Sequence, residues 1–239
     1  MQRRLTIQVM CAMAVGLGAA ILLALASPVL AHGVHGKDAA FVAENAGVQI
    51  IPFLYLGAKH MVTGYDHLLF ILGIIFFLYR MTHVAIYVTL FSIGHSVTMM
   101  GGVFGDIHVN PYLIDAVIGL SVAYKAFDNL GGFQTVFGFQ PSVRGAVLGF
   151  GLIHGFGLAT KLQDLELSPD GLVPNMIAFN VGVELGQLVA LSLMLLLIVW
   201  WRTRPGFQRQ SLAANVVLMG LGFALTQYQL IGYLIEQGA

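Results

Sequence analysis

Long apolar segments separated by short polar connections dominate this chain. Six of them follow residue 50, near residues 57–79, 83–102, 111–128, 144–161, 173–200 and 212–235. Each is long enough to cross a hydrocarbon core of ~30 Å, which takes roughly 20 helical residues. The pattern predicts an all-α fold, a polytopic membrane helical bundle with about six transmembrane helices. An alternative for the first segment is a short helix over residues 48–59 that lies on the membrane surface and bends inward at Gly64.

A further apolar run lies ahead of these segments, over residues 5–25, and two arginines precede it. It is followed by a small-residue pattern that ends at Ala31, which is typical of a secretory signal peptide. We therefore expect residues 1–31 to be a signal peptide cleaved after Ala31. The alternative is an uncleaved signal anchor, which would add one more membrane helix.

Cleavage at that point would create a polar N-terminal segment, residues 32–50, that lies outside the cytoplasm and begins with His32 and His35. A free α-amine beside two imidazoles is able to chelate copper, nickel or zinc. The alternative is a terminal segment whose histidines bind nothing. The rest of the chain, residues 51–239, is expected to form a single transmembrane domain.

The composition agrees with a membrane protein and excludes several other classes. Hydrophobic residues make up 58% of the 239 positions and charged residues only 9%, whereas soluble domains carry about 25% charged residues. The formal net charge is zero, and no basic stripe with interleaved aromatic residues is present, so nucleic-acid binding is excluded. Because Cys11 is the only cysteine, a metal site in the bulk of the chain must use nitrogen and oxygen ligands.

The distribution of basic residues predicts the orientation in the membrane. With the mature N-terminus outside, the larger set of basic residues falls in cytoplasmic loops and helix ends, as the positive-inside rule requires. This set comprises Arg80, Lys125, Arg144, Arg202, Arg204 and Arg209, against Lys37, Lys59 and Lys161 on the outer side. We therefore expect a multi-pass protein of the bacterial inner membrane with both mature termini outside the cytoplasm.

Ionisable residues inside the apolar segments are the first functional candidates, because such side chains are costly in lipid unless they have partners or a function. Asp66 and His67 lie at the mouth of the first segment. The other segments contribute His95, Asp115, His154 and Glu184. At ~1.5 Å per residue, His95, Asp115 and His154 are expected roughly 6 to 12 Å from the outer ends of their helices, and Glu184 at ~15 Å. Four or five helices would thus supply one shared site.

Helical spacing extends this set and suggests how the helices approach one another. His60 shares a helical face with His67, and Asn180 and Gln187 share one with Glu184. Glycines at a four-residue spacing, which allow close helix contact, bracket two of the candidates. They are Gly151 and Gly155 around His154, and Gly182 and Gly186 around Glu184.

Imidazole and carboxylate groups together are suited to nickel, cobalt, zinc, iron or manganese. Asp66 is also placed to orient the ring of His67 rather than to bind a metal itself. Asp115 has an alternative role as well, because it follows Pro111 closely and would stabilise the first turn of its helix.

Four motifs in combination resemble the HupE/UreJ family of membrane proteins. They are Gly57-x-x-His60-x-x-x-Gly64-x-Asp66-His67-Leu-Leu-Phe70, Phe91-Ser-Ile-Gly-His95-Ser, Gly151-Leu-Ile-His154-Gly-Phe-Gly and Phe179-Asn-x-Gly-Val-Glu184-x-Gly-Gln187. The mature N-terminus, His-Gly-Val-His, places the chain closer to a second, less characterised branch. The resemblance implies about six helices and a nickel or cobalt permease that serves hydrogenases or ureases. The metal-handling positions that it implies are His60, Asp66, His67, His95, His154 and Glu184.

The first functional hypothesis is a transporter, not an enzyme, that moves a divalent transition-metal ion through a His/carboxylate site in the outer half of the membrane. Nickel or cobalt is favoured by the resemblance, and zinc, copper and iron stay open. The expected partners are the metal ion and the lipid bilayer, and a second copy of the chain or a metalloenzyme-maturation protein is compatible with this function. Two alternatives use the same side chains: an intramembrane metal-dependent hydrolase, and a haem-binding or metal-binding accessory subunit with His95 and His154 as axial ligands.

Overall fold

The computed structural model describes Gly16 and residues 47–163 and 168–238, and this part of the chain is helical without strands. Apart from Gly16, the predicted signal peptide lies outside the described residues, and so does the segment with His32 and His35. The α-helices are α1 Ile50–Thr63, α2 Tyr65–Ile75, α3 Met81–Phe104, α4 Pro111–Asn129, α5 Val143–Gln163, α6 Leu172–Arg202 and α7 Phe207–Gly238. A short π-helix, Phe133–Phe137, lies between α4 and α5.

Four of these helices, α3, α5, α6 and α7, are long and apolar enough to cross a membrane. Two of the six predicted spans, the first and the third, therefore do not correspond to a helix that is long and apolar enough to cross a membrane. The first predicted span is divided into α1 and α2, of 14 and 11 residues. The third corresponds to α4, which carries the charged residues Asp115, Lys125 and Asp128.

The first segment breaks at Gly64, as its alternative interpretation had it, and α1 packs lengthwise against α6. It runs parallel to the first half of α6 in direct backbone contact, and its leading end is tied to Asn175, which bonds the amide of Gln49 (2.6 Å) and the carbonyl of Gly47 (2.9 Å). At the other end, Arg202 donates to the last carbonyls of α2. Helix α1 therefore follows the first half of α6, and the end of α2 meets the last residue of α6.

Glycines join the helices in three tight pairs: α1 with α6, α3 with α5, and α4 with α7. A Cβ on Gly182 would lie 2.0 Å from the carbonyl oxygen of Leu54, and one on Gly155 would lie 2.2 Å from that of His95. In the third pair, a Cβ on Gly222 would lie 2.5 Å from the amide nitrogen of Ala123. Any side chain at these positions would force the backbones apart, so the predicted close approach at Gly155 and Gly182 is confirmed.

Two ends of the bundle are used as landmarks below. The Ile50 end is where α1 and α6 begin and where α3 and α5 finish, and the Arg202 end is where α2 and α6 finish. The residues between these ends form a core rich in aromatic side chains, including Phe70, Phe91 and Phe179, all of which are fully buried.

Candidate metal site

His67 lies at the centre of a group of four histidines, which we call the histidine cluster. Its ring centroid is 4.7 Å from that of His154, 5.4 Å from His60 and 5.6 Å from His95. The four rings come from α1, α2, α3 and α5, and all four residues are buried. The structure thus brings together the four histidines that the sequence singled out within the membrane segments.

Asp66 holds the His67 ring in one orientation. One carboxylate oxygen, Oδ1, accepts hydrogen bonds from the His67 backbone amide (2.7 Å) and from ring atom Nδ1 (2.8 Å). Both residues lie in the first turn of α2, where amides lack helical partners and a negative charge is favoured. A neutral imidazole that carries its proton on Nδ1 presents a lone pair on Nε2, as carboxylate-oriented histidine ligands of metals do.

A serine fixes the second ring of the cluster. The Ser121 hydroxyl donates to the carbonyl of Ile118 (2.6 Å), so its oxygen accepts from Nε2 of His154 at 3.2 Å. In the neutral ring this arrangement leaves the lone pair on Nδ1. His67 and His154 are therefore held as opposite tautomers by groups outside the cluster.

Several ring nitrogens of the cluster are buried at a cost to stability. Among the described residues, both ring nitrogens of His95 and Nε2 of His67 are buried without a hydrogen-bond partner. A buried polar atom without a partner costs about 1–3 kcal/mol. The aromatic ring of Phe91 adjoins both histidines, with centroids 6.2 Å from that of His67 and 6.2 Å from that of His95, and a phenyl ring offers these nitrogens no hydrogen-bonding atom. Such an arrangement is typical of a site that is kept for a ligand rather than for stability.

The rings pack edge to face and do not point at one common centre. Within residues 47–163 and 168–238, no three His, Cys, Asp or Glu side chains converge closely enough to hold an ion together. The donor set fits a transition-metal ion in its chemistry, but simultaneous binding by several rings requires side-chain rotation.

The cluster also lies deeper than expected. His95 and His154 lie about 14 Å from the C-terminal ends of α3 and α5, at ~1.5 Å per residue, because both helices extend beyond the predicted segments.

Glu184 belongs to a neighbouring polar contact between α3 and α6, not to the histidine cluster itself. Its carboxylate faces the hydroxyl of Ser92. The two amides predicted on the same face bond serines of α3: Ser92 donates to Gln187 (3.0 Å) and Ser96 to Asn180 (2.9 Å). We call this contact the polar seam, defined by Ser92, Ser96, Asn180, Glu184 and Gln187. It adjoins the cluster because His95 lies between the two serines on α3.

Asp115 is not brought to the cluster. Its carboxylate binds the ammonium group of Lys161 at 2.7 and 3.0 Å and accepts a longer hydrogen bond from Gln229. The alternative role in the first turn of α4 is also wrong, because that turn begins at Pro111 and contains no acidic residue, and Asn110 caps it by accepting from the amide of Leu113. Asp115 instead links α4, α5 and α7 near the Ile50 end.

Sequence reasoning missed the residues that surround the cluster. Ser121 carries no signal in a single sequence, since serines are common in membrane helices, and Phe70 and Phe91 entered only as members of the family motifs, with no role given to their rings. Lys125 and Asp128 are visible in the sequence as charged residues within an apolar segment. Lys125 was used only to predict the orientation in the membrane, and Asp128 was given no role.

The family model described as "HupE / UreJ protein" matches residues 36–237, which is most of the chain. No curated protein and no solved structure matches.

Proposed function

Because the chain belongs to the HupE/UreJ family of membrane proteins, we propose that it is a permease for a divalent transition-metal ion, with nickel or cobalt as the favoured cargo. The observation that carries the proposal is His67 in its setting: a buried imidazole, oriented by Asp66 at the break between α1 and α2, with three further imidazoles around it. Helix breaks at membrane depth recur at the binding sites of secondary transporters.

The expected path begins at the Ile50 end, which we assign to the outside of the inner membrane. Acidic residues lie at this end, among them Asp106, Asp170 and Glu236, and would attract cations. The Arg202 end carries Arg80, Arg144, Arg202, Arg204 and Arg209, as expected for a cytoplasmic face. The polar seam with Glu184 offers oxygen ligands beside His95, so an ion would pass between oxygen and nitrogen ligands on its way inward.

Conduction requires binding that is strong enough to replace the hydration shell and weak enough to release the ion. Four imidazoles that pack against each other, rather than form a closed set of ligands, suit transient binding. Asp66 is engaged with His67, so it acts in this proposal as the group that orients the ligand. The hydrolase alternative would need a carboxylate to activate water, and no contact of the cluster favours that role over orientation.

The test exploits the stability cost of His95. Its two ring nitrogens lack partners among the described residues, so His95→Leu removes a buried polar group while keeping apolar bulk. We expect this variant to unfold at a temperature equal to or higher than the wild type, and to bind nickel at least 10-fold more weakly. A histidine that served only the fold would give the opposite result, a loss of stability.

The measurement is equilibrium dialysis of the detergent-purified protein against nickel, cobalt, zinc, copper and iron, followed by uptake into proteoliposomes. His108→Ala is the matched control, because that ring is exposed and, among the described residues, its hydrogen bond and its ion pair are both with Asp106. A wild-type protein that binds none of these ions, or His95→Leu and His67→Ala variants that bind like the control, would contradict the proposal. Binding with turnover of a lipid or peptide and without uptake would favour the hydrolase.

A further inference from the structure

An apolar groove lies between α2 and α6, close to the Arg202 end. Its volume is about 440 Å³, within the range of sites that hold small ligands. It opens on the side of the bundle, because two of its residues, Leu197 and Trp200, are 66% and 58% exposed. At ~1.5 Å per residue the α6 residues of the lining cover roughly 10 Å of that helix. The described residues that line the groove are Leu72, Met194, Leu197, Ile198, Trp200 and Trp201.

The wall of the groove is held in place by the fold. The Trp201 indole donates from Nε1 to Gln210 Oε1 at 2.7 Å. Its ring centroid lies 5.6 Å from that of Phe76 and 5.5 Å from that of Phe207, both edge to face, and Ile198 beside it is buried. A groove that is formed in advance binds its occupant without first paying the entropy of ordering these side chains.

Two arginines lie next to this groove without an acidic partner. The Arg204 guanidinium lies over the ring of Trp200, with Cζ 4.5 Å from the ring centroid. Arg202 donates to the backbone carbonyls of Ile75 and Phe76. Within residues 47–163 and 168–238, neither guanidinium is paired with a carboxylate. Both positive charges therefore stay open to an anion from outside the chain.

The sequence around the groove supplies no anion either. No acidic residue occurs between Asp66 and Asp106, or between Glu184 and Glu236. These two stretches contain the end of α2, the second half of α6 and the connections that follow both helices. The groove thus combines an apolar channel with a purely basic mouth, which is complementary to a molecule with a hydrocarbon chain and an anionic head.

We propose that this groove is a binding site for one phospholipid with a net anionic headgroup. An acyl chain lies along Leu197 and Ile198, and the phosphate accepts hydrogen bonds from Arg204, since a guanidinium matches phosphate geometry. Arg202 adds a second positive charge nearby. Tryptophan and arginine at a helix end are the side chains that meet the headgroup layer of a membrane. The site does not depend on whether the chain transports a metal ion.

A second copy of the chain is a poorer occupant of the groove. A two-fold contact places the same patch of both copies face to face. Here it would bring Arg202 and Arg204 of each copy together in an apolar interface, with no carboxylate from the adjoining stretches to pair with them. Buried charges without partners oppose such an association, whereas a lipid phosphate neutralises them.

Lipid binding to the full detergent-purified chain, followed by native mass spectrometry, tests the headgroup. The probes are phosphatidylglycerol, which is anionic, and phosphatidylethanolamine, which has no net charge, with identical acyl chains. We expect one phosphatidylglycerol per chain. Arg204→Gln should weaken its binding about 10-fold, as expected for a lost charge-assisted hydrogen bond, and leave phosphatidylethanolamine unaffected. Arg144→Gln is the matched control, because it removes an exposed arginine from the same end on another helix.

A second pair of variants tests the apolar part. Leu197→Trp adds bulk inside the groove at an exposed position, so we expect it to abolish retention of the lipid. Leu196→Trp adds the same bulk at the neighbouring position, which is 69% exposed and outside the lining, and should bind as the wild type does. Because a ligand that binds only the folded chain stabilises it, phosphatidylglycerol should raise the unfolding temperature of Leu196→Trp but not of Leu197→Trp.

Three results would overturn the inference. Equal binding of the two lipids by the wild type, or equal losses in Arg204→Gln and Arg144→Gln, would leave only the general attraction between basic residues and anionic lipid. Equal binding by Leu197→Trp and Leu196→Trp would place the acyl chain elsewhere. A dimer that Leu197→Trp dissociates, with no phosphatidylglycerol bound, would assign the groove to a second copy of the chain.

Discussion

The contact between α3 and α5 offers a quantitative test of how the histidine cluster is assembled. A Cβ on Gly155 would lie 2.2 Å from the His95 carbonyl oxygen and 2.2 Å from Thr98 Oγ1. Ordinary contacts are about 3.5 Å, so Gly155→Ala requires the two backbones to separate by roughly 1 Å. Thr98 cannot yield without loss, because its hydroxyl bonds the Leu152 carbonyl at 2.6 Å.

The expected cost follows from the crowding. Overpacking of this kind destabilises by about 1–3 kcal/mol, against a gain of up to ~1 kcal/mol from replacing a helical glycine with alanine. Gly149 is the matched control on the same helix, since a Cβ there meets nothing within 4 Å. Gly149→Ala should therefore be neutral or slightly stabilising, and Gly155→Ala should lie about 1–3 kcal/mol below it.

Gly155→Ala should weaken metal binding as well as lower the stability of the fold. Separation of α3 from α5 moves the His95 ring away from His154 and His67, so we expect nickel affinity to fall about 10-fold or more, a loss comparable to that of groups that orient metal ligands. Thermal unfolding followed by circular dichroism and nickel dialysis on both variants provide the measurements. If Gly155→Ala matches Gly149→Ala in both, close packing at this glycine does not position the cluster.

Two further substitutions probe the groups around the cluster. Asp66→Asn keeps the size of the side chain but removes the charge that orients His67, so nickel affinity should fall about 10- to 100-fold; affinity at the wild-type level in dialysis would exclude the orienting role. Asp115→Asn leaves the Lys161 ammonium without its carboxylate and should lower the stability by about 3–5 kcal/mol, with nickel affinity unchanged. Thermal unfolding should show that the double variant Asp115→Asn/Lys161→Met recovers much of the lost stability. A change in nickel affinity in either variant would contradict this reasoning and place Asp115 in the metal site.

The sequence by itself determined the class of the protein, the approximate positions of its helices and the residues worth testing. Apolar segments of membrane length and rare ionisable residues within them are visible in one dimension, because lipid penalises charges wherever they occur along a helix. The break at Gly64 and the tight packing at Gly155 and Gly182 also followed from local pattern. His60, His67, His95 and His154 were selected in this way, and the structure brings all four together.

Only the tertiary structure decided which candidates share one site. The rotation of each helix about its axis is set by how glycine faces dock, so the sequence could not tell that Glu184 faces Ser92 or that Asp115 pairs with Lys161. The docking of α1 along α6 is decided in the same way, by backbone contacts between residues more than 100 positions apart. Depth along a helix can be counted from the sequence, but direction around it depends on neighbours that only the folded bundle provides.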